Sequence, residues 1–134
     1  MSTKLSILVI DDDEMCFQVV RMYLESYGLS LDWASNGHLG VKAVKEGQYD
    51  VVFMDIMMPE MDGYEATAEI RKTGPDQPYI VALTAVENEN ADKFCQEHQF
   101  DAYIPKPIRK STLDSLVGKL SARKPLQEER LVQG

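Results

Sequence analysis

The sequence predicts an α/β domain: a doubly wound, five-stranded parallel sheet with five helices. Three observations carry this reading. Short strand-like segments recur five times along the 134 residues, the central ones as apolar runs without polar alternation, as strands buried on both faces require. Segments with apolar residues at three- and four-residue steps separate them. The connections are short, and such alternation calls for a parallel sheet because right-handed crossovers place helices on both of its faces.

In chain order, Leu5 to Ile10 reads as the first strand and stops abruptly at Asp11, Asp12, Asp13 and Glu14. From Met15 to Tyr27, Phe17, Val20, Leu24 and Tyr27 mark one face of a helix that Gly28 can end through its access to positive φ. Leu29 to Ala34 is the second strand, Ser35-Asn36-Gly37 a loop, and Leu39, Val41, Ala43 and Val44 a second helix closed by Gly47. Val51 to Met54 is a buried central strand ending at Asp55, with Pro59 and Asp62-Gly63 as turn residues. Tyr64 to Lys72 is the third helix, broken by Thr73-Gly74-Pro75-Asp76. Tyr79 to Leu83 is the fourth strand, and Val86 to His98 a weakly amphipathic fourth helix with few apolar anchors. Phe100 to Ile104 is the fifth strand, Pro105-Lys106-Pro107 a stiff connection, and Lys110 to Ser121 the last helix, apolar at Leu113, Leu116, Val117 and Leu120. Residues 1–122 are expected to form the domain. Residues 123–134 are expected to be a flexible tail, with Pro125 interrupting the helix.

Composition narrows the function classes. Hydrophobic content is 44% and charged content 27%, ordinary for a globular domain. No apolar run approaches the roughly 18 residues of a membrane span, and the start is too quickly charged for a signal peptide. A cytoplasmic location without membrane contact is expected. The net charge of −8 opposes affinity for nucleic acid phosphates. Cys16 and Cys95 belong to no Cys-x-x-Cys pattern and read as small core hydrophobes in a reducing compartment.

Chemistry concentrates at strand ends. Asp11 and Asp12 follow the first strand, Asp55 ends the third, Thr84 follows the fourth and Lys106 the fifth, so all lie on the carboxyl edge, where open α/β sheets bind ligands. With strands in the order 2-1-3-4-5, three carboxylates converge at the switch point. At an effective dielectric near 20, a pair about 5 Å apart repels by roughly 3 kcal/mol, so a bound cation is expected. Carboxylate oxygens suit Mg²⁺, and His38 and His98 offer no zinc-like set. An Asp beside a divalent ion, a lysine and a strand-end hydroxyl suits phosphoryl transfer with Asp55 as nucleophile. Each residue also has a plainer reading: Asp11 as a helix N-cap paired with Glu14, Thr84 as a β-branched strand residue, Lys106 as a surface charge. Their joint placement on one edge favours the site.

At these residues the sequence resembles the receiver domain of two-component response regulators, with the flavodoxin-like fold of CheY. The matching stretches are Ile7 to Asp13, Met54 to Gly63, Ala82 to Ala85 and Tyr103 to Pro107. The resemblance implies that Asp55 is the phosphoacceptor, Asp12 a direct Mg²⁺ ligand and Asp11 a ligand acting mainly through water, with the Met57 carbonyl completing the set. It implies that Thr84 and Tyr103 form a switch pair, and that the Lys106-Pro107 bond is cis. The implied partners are a histidine kinase or phosphotransfer protein, and a downstream protein bound through the face of helix 4, strand 5 and helix 5. The wording around Asp55 is similar to receivers attached to hybrid sensor kinases.

Departures from the family pattern matter too. His98-Gln99 stands where a glycine commonly precedes the fifth strand, so the fourth helix is expected to end without a left-handed residue. Met57 and Val86 flank the acceptor with apolar side chains that cannot orient water, so a long-lived phosphorylated form is expected. With the chain beginning at Met1, no output domain is expected. No enzymatic activity beyond its own phosphoryl transfer and slow dephosphorylation is expected. A haloacid-dehalogenase-type phosphatase built on Asp11-Asp12-Asp13 would need a threonine where Met15 stands. A binding module independent of phosphorylation would leave the five site residues unexplained.

Overall fold

A computed structural model describes residues 5–74, 77–85 and 90–133, with side chains of the last segment described to residue 122. Pro75 and Asp76, read as part of a turn, and Val86 to Glu89, read as the start of the fourth helix, lie outside the described residues. The strands are β1 (Ser6–Ile10), β2 (Ser30–Ala34), β3 (Val51–Asp55), β4 (Tyr79–Thr84) and β5 (Ala102–Pro105). All pair in parallel in the order β2-β1-β3-β4-β5. The helices are α1 (Glu14–Leu24), α2 (Gly37–Glu46), α3 (Gly63–Arg71), α4 (Ala91–His98) and α5 (Lys110–Gln133), and a 3₁₀ turn (Glu25–Tyr27) follows α1.

The unalternating runs are explained by the two faces they serve. Ile7, Val9, Phe53, Val81 and Leu83 point toward Val20 and Leu24 of α1 and Leu113, Val117 and Leu120 of α5. Their neighbours Leu8, Ile10, Val52, Met54, Ile80 and Ala82 pack against Val41 of α2 and Ala66 and Ile70 of α3. With period two and both faces covered, every residue of β3 is buried. Cys16 and Cys95 are free, half-buried thiols packed against these two cores. Among the described residues no helix is long and apolar enough to cross a membrane.

Two local expectations are corrected. The helix end before β5 does use a left-handed residue: Gln99 takes φ 64° and ψ 30°. This lets the Phe100 N–H reach the Cys95 carbonyl at 2.9 Å. Arg71 holds the conformation from α3, donating Nε and Nη2 to the Gln99 carbonyl at 3.0 and 2.7 Å, and Nη2 also to Asp101 at 2.9 Å. A side chain in this region is strained, so Gln99→Gly is expected to stabilise the fold by about 0.5–1 kcal/mol. Urea unfolding checks this, and a lower midpoint in the glycine variant would contradict it. The second correction is α5, which runs on through Pro125 to Gln133 instead of stopping at Ser121. Leu126, Gln127, Glu128, Glu129 and Arg130 are strong helix formers, and their preference opposes the local cost of the proline.

Candidate functional site

Parallel pairing sets the height of each side chain at the carboxyl edge. Ile10 pairs with Met54, Asp55 with Leu83 and Thr84 with Pro105, so Asp11, Asp55, Thr84 and Lys106 emerge within about one rung of each other. Asp11 is fully buried and Asp55 nearly so, whereas Asp12 is exposed. One carboxylate oxygen from each of the three lies within 4.8 Å of the others. Lys106 reaches in from beyond β5: its Nζ donates to Asp11 Oδ2 at 3.1 Å and to Asp55 Oδ1 at 3.2 Å. The plainer reading of Lys106 as a solvated charge is thereby excluded.

One ammonium against three carboxylates leaves the cluster acidic. Burial, reinforced by the Asp11 charge, pushes the Asp55 carboxyl up to about 6, against the opposing effects of Lys106 and of the Met57 N–H. That N–H donates to Asp55 Oδ1 at 3.4 Å. At Lys106 burial works against the charge, but Asp11 and Asp55 outweigh it and raise the pKa above the usual lysine value. The stability linkage follows in sign. Because the folded pKa of Asp55 is raised, its favourable contribution is complete below about pH 4 and is lost as pH rises through about 6. Metal-free Asp55→Asn is therefore expected to be more stable than the parent at pH 7 by about 1–2 kcal/mol, with the gap closing by pH 4. Urea titrations at the two pH values check it; an equal gap at both would contradict the repulsion.

The remaining site residues sit as follows. Thr84 is buried at the end of β4, and its carbonyl accepts the Lys106 N–H at 2.7 Å. The Lys106-Pro107 peptide is cis. The Met57 side chain is 76% exposed and offers no polar group two residues after Asp55. Tyr103 is half-buried, its ring meeting Phe94 of α4 edge-on at 5.9 Å between centroids. Val86 lies outside the described residues.

Asp11 is not the cap of α1. Asp13 is, accepting from the Met15 N–H at 3.0 Å, while Asp11 Oδ1 accepts from the Asp13 N–H at 2.9 Å. The reciprocal capping box falls instead at Asp62 and Glu65, starting α3. Two contributors went unread in the sequence. Gly63 is in close contact with the backbone of Asp55 and Ile56, a role that a turn glycine does not announce. Trp33 donates its indole N–H to the Asp11 carbonyl at 2.8 Å, and nothing in a strand-end tryptophan signals this.

Among the described residues, Asp11, Asp12 and Asp55 are the one group of acids, histidines or cysteines close enough to hold a cation. Hard carboxylate oxygens, partly exposed to water through Asp12, suit Mg²⁺ better than zinc, which favours His and Cys ligands. His98 is occupied elsewhere, its ring 4.3 Å from that of Tyr64.

The sequence profile of the response regulator receiver domain matches residues 7–118. The transcription factor SKN7 of Candida albicans is 32% identical over 116 residues, covering 87% of this chain and 21% of SKN7. The chain spans between 15% and 48% of the length of the first curated relatives it matches. Among solved structures, the receiver domain of the sensor histidine kinase PA1611 from Pseudomonas aeruginosa, with magnesium coordinated in its active site cleft, superposes with a TM-score of 0.78 at 27% identity. The match covers 89% of this chain and 98% of that one. The receiver domain of Ssk1 from Saccharomyces cerevisiae, crystallised with the histidine phosphotransfer protein Ypd1, matches with a TM-score of 0.78 at 25% identity, over 89% of this chain and 90% of that one.

Proposed function

The chain belongs to the response regulator receiver family, and from that premise we propose that Asp55 accepts a phosphoryl group from a phosphohistidine on a partner protein, with Mg²⁺ as cofactor. The observation that carries the proposal is the Lys106 ammonium 3.2 Å from Asp55 Oδ1, with two further carboxylates within 4.8 Å. A carboxylate oxygen of Asp55 attacks phosphorus. The bond from phosphorus to the imidazole nitrogen breaks, and the electron pair leaves with the imidazole, which takes a proton from water. Lys106 stands beside the oxygen on which charge accumulates and offsets it, and the Thr84 hydroxyl is the further donor for a phosphoryl oxygen. Asp12, Asp55 and the Met57 carbonyl would hold Mg²⁺, with Asp11 acting mainly through water. The ion supplies charge neutralisation between the acids and the phosphoryl oxygens.

The exposed apolar side chains Met15, at 66%, and Met57, at 76%, lie close in sequence to Asp12 and Asp55 and suit contact with a protein donor. A histidine kinase or phosphotransfer protein fits that description, as Ypd1 does for the Ssk1 receiver. The signal then leaves by protein contact, since a net charge of −8 disfavours nucleic acid. The proposed output face is α4, β5 and α5. No residue of α4 is fully buried, and Tyr103 rests against Phe94. Movement of Thr84 toward the phosphoryl group would let Tyr103 turn and α4 shift.

Incubation with acetyl phosphate and Mg²⁺ tests the reading. Intact mass should rise by one phosphoryl group, and chelation of the metal should prevent it. A chain that stays unmodified with its metal bound would overturn the proposal. Lifetime gives a second check, because the Met57 side chain cannot align water for in-line attack. Met57→Asn is expected to speed loss of the phosphoryl group about three- to tenfold; an unchanged or slower decay would contradict this.

A further inference from the structure

The acidic loop after β1 must hold two adjacent carboxylates, Asp11 and Asp12, in different surroundings, one fully buried and one exposed. Asp11 is fixed at four points. Its N–H donates to the Ala34 carbonyl at 3.1 Å. Its Oδ1 accepts from the Asp13 N–H and its Oδ2 from Lys106. Its carbonyl accepts the Trp33 indole N–H at 2.8 Å. Asp12 has no such set: among the described residues no hydrogen bond or ion pair engages its carboxylate. Among the described residues, the backbone therefore orients Asp12: the Asp13 N–H bond to Asp11 Oδ1 restrains one side of it, and the oxygen of the peptide that joins it to Asp11 is the one Trp33 holds.

We infer that Trp33 is a positioning residue for the cation site, its indole N–H orienting the Asp11-Asp12 peptide and thereby aiming the Asp12 carboxylate. The inference deepens the reading of the acidic cleft as a Mg²⁺ site and rests on it. The indole is itself held. Its ring stacks on Phe17 of α1, 5.7 Å between centroids and 11° from parallel, and the next residue, Ala34, receives the Asp11 N–H. The last two residues of β2 thus grip both backbone polar groups of Asp11, one through the main chain and one through a side chain. Trp33 is 36% exposed on an edge strand, so filling the core does not account for it. A hydrogen bond to a neutral carbonyl has modest net strength, but it is the one that holds the oxygen of this peptide; without it the peptide keeps its bonds through Ala34 and the Asp13 N–H and holds the Asp12 carboxylate less firmly. Partners that orient a metal ligand commonly govern affinity in this way.

The test is Trp33→Phe, which keeps a smaller aromatic face for Phe17 and removes the donor. Mg²⁺ affinity, read from the Asp12 and Asp55 amide resonances during titration with the metal alone, should weaken about three- to tenfold. The parent provides an independent check that needs no variant to fold. Trp33 is the chain's single tryptophan, so its indole N–H resonance is unambiguous, and it should shift with the same Mg²⁺ dependence as the Asp12 amide. Parent-like Mg²⁺ affinity in Trp33→Phe, even with lowered unfolding stability, or an indole resonance unmoved by Mg²⁺, would overturn the inference. Absence of Mg²⁺ binding by the parent would overturn the underlying site reading instead, and this inference with it.

Discussion

Asp55→Asn is expected to lose covalent labelling by acetyl phosphate by more than about a thousandfold, since an amide oxygen is not a competent nucleophile for the phosphoryl group. The substitution is nearly isosteric. It leaves Asp11 to hold Lys106 at 3.1 Å, and it removes one charge from a cluster in which burial and Asp11 already disfavour ionised Asp55. Folding is therefore not the cause of the loss, and the higher metal-free stability expected at neutral pH separates the two effects. Labelling at the parental rate in a variant that is more stable would move the acceptor to another residue.

Gly63→Ala is expected to carry the largest structural penalty of any single methyl group at this edge. A Cβ there would overlap the Asp55 carbonyl oxygen and stand 2.7 Å from the Ile56 Cα. Both are main-chain atoms that cannot rotate aside. The Gly63 N–H also donates to the Ile56 carbonyl at 2.9 Å, so relief of the clash moves α3 away from the end of β3 and shifts the Asp55 carboxylate, the proposed nucleophile. A loss of about 2–3 kcal/mol is expected in urea unfolding, together with slower labelling at saturating Mg²⁺. Parental stability and rate in Gly63→Ala would show that the edge is far more pliant than its packing implies.

The parts of this architecture legible in the sequence are those written in local pattern. Runs such as Val51 to Met54 have no polar break because both faces of the strand are covered, and an acid directly after such a run, as at Asp55, must sit at the sheet edge. Parallel register then brings Asp11, Asp55, Thr84 and Lys106 to one level without further information. What was not legible depends on partners distant in the chain. Gln99 takes a left-handed conformation that its own side chain disfavours because Arg71, 28 residues earlier, grips its carbonyl. The indole of Trp33 meets a carbonyl 22 residues away. In α5, the break expected at Pro125 did not allow for the helix-forming residues that follow it.

The central claim, that Asp55 is the residue phosphorylated, is tested most directly by trapping. Reduction of the acetyl phosphate-treated protein with borohydride converts an acyl phosphate on aspartate to homoserine, and peptide mass spectrometry locates it. The account predicts homoserine at position 55, dependent on Mg²⁺ during labelling. Homoserine at position 11 or 12 with Asp55 intact, or a phosphoryl group recovered on His38 or His98, would contradict it.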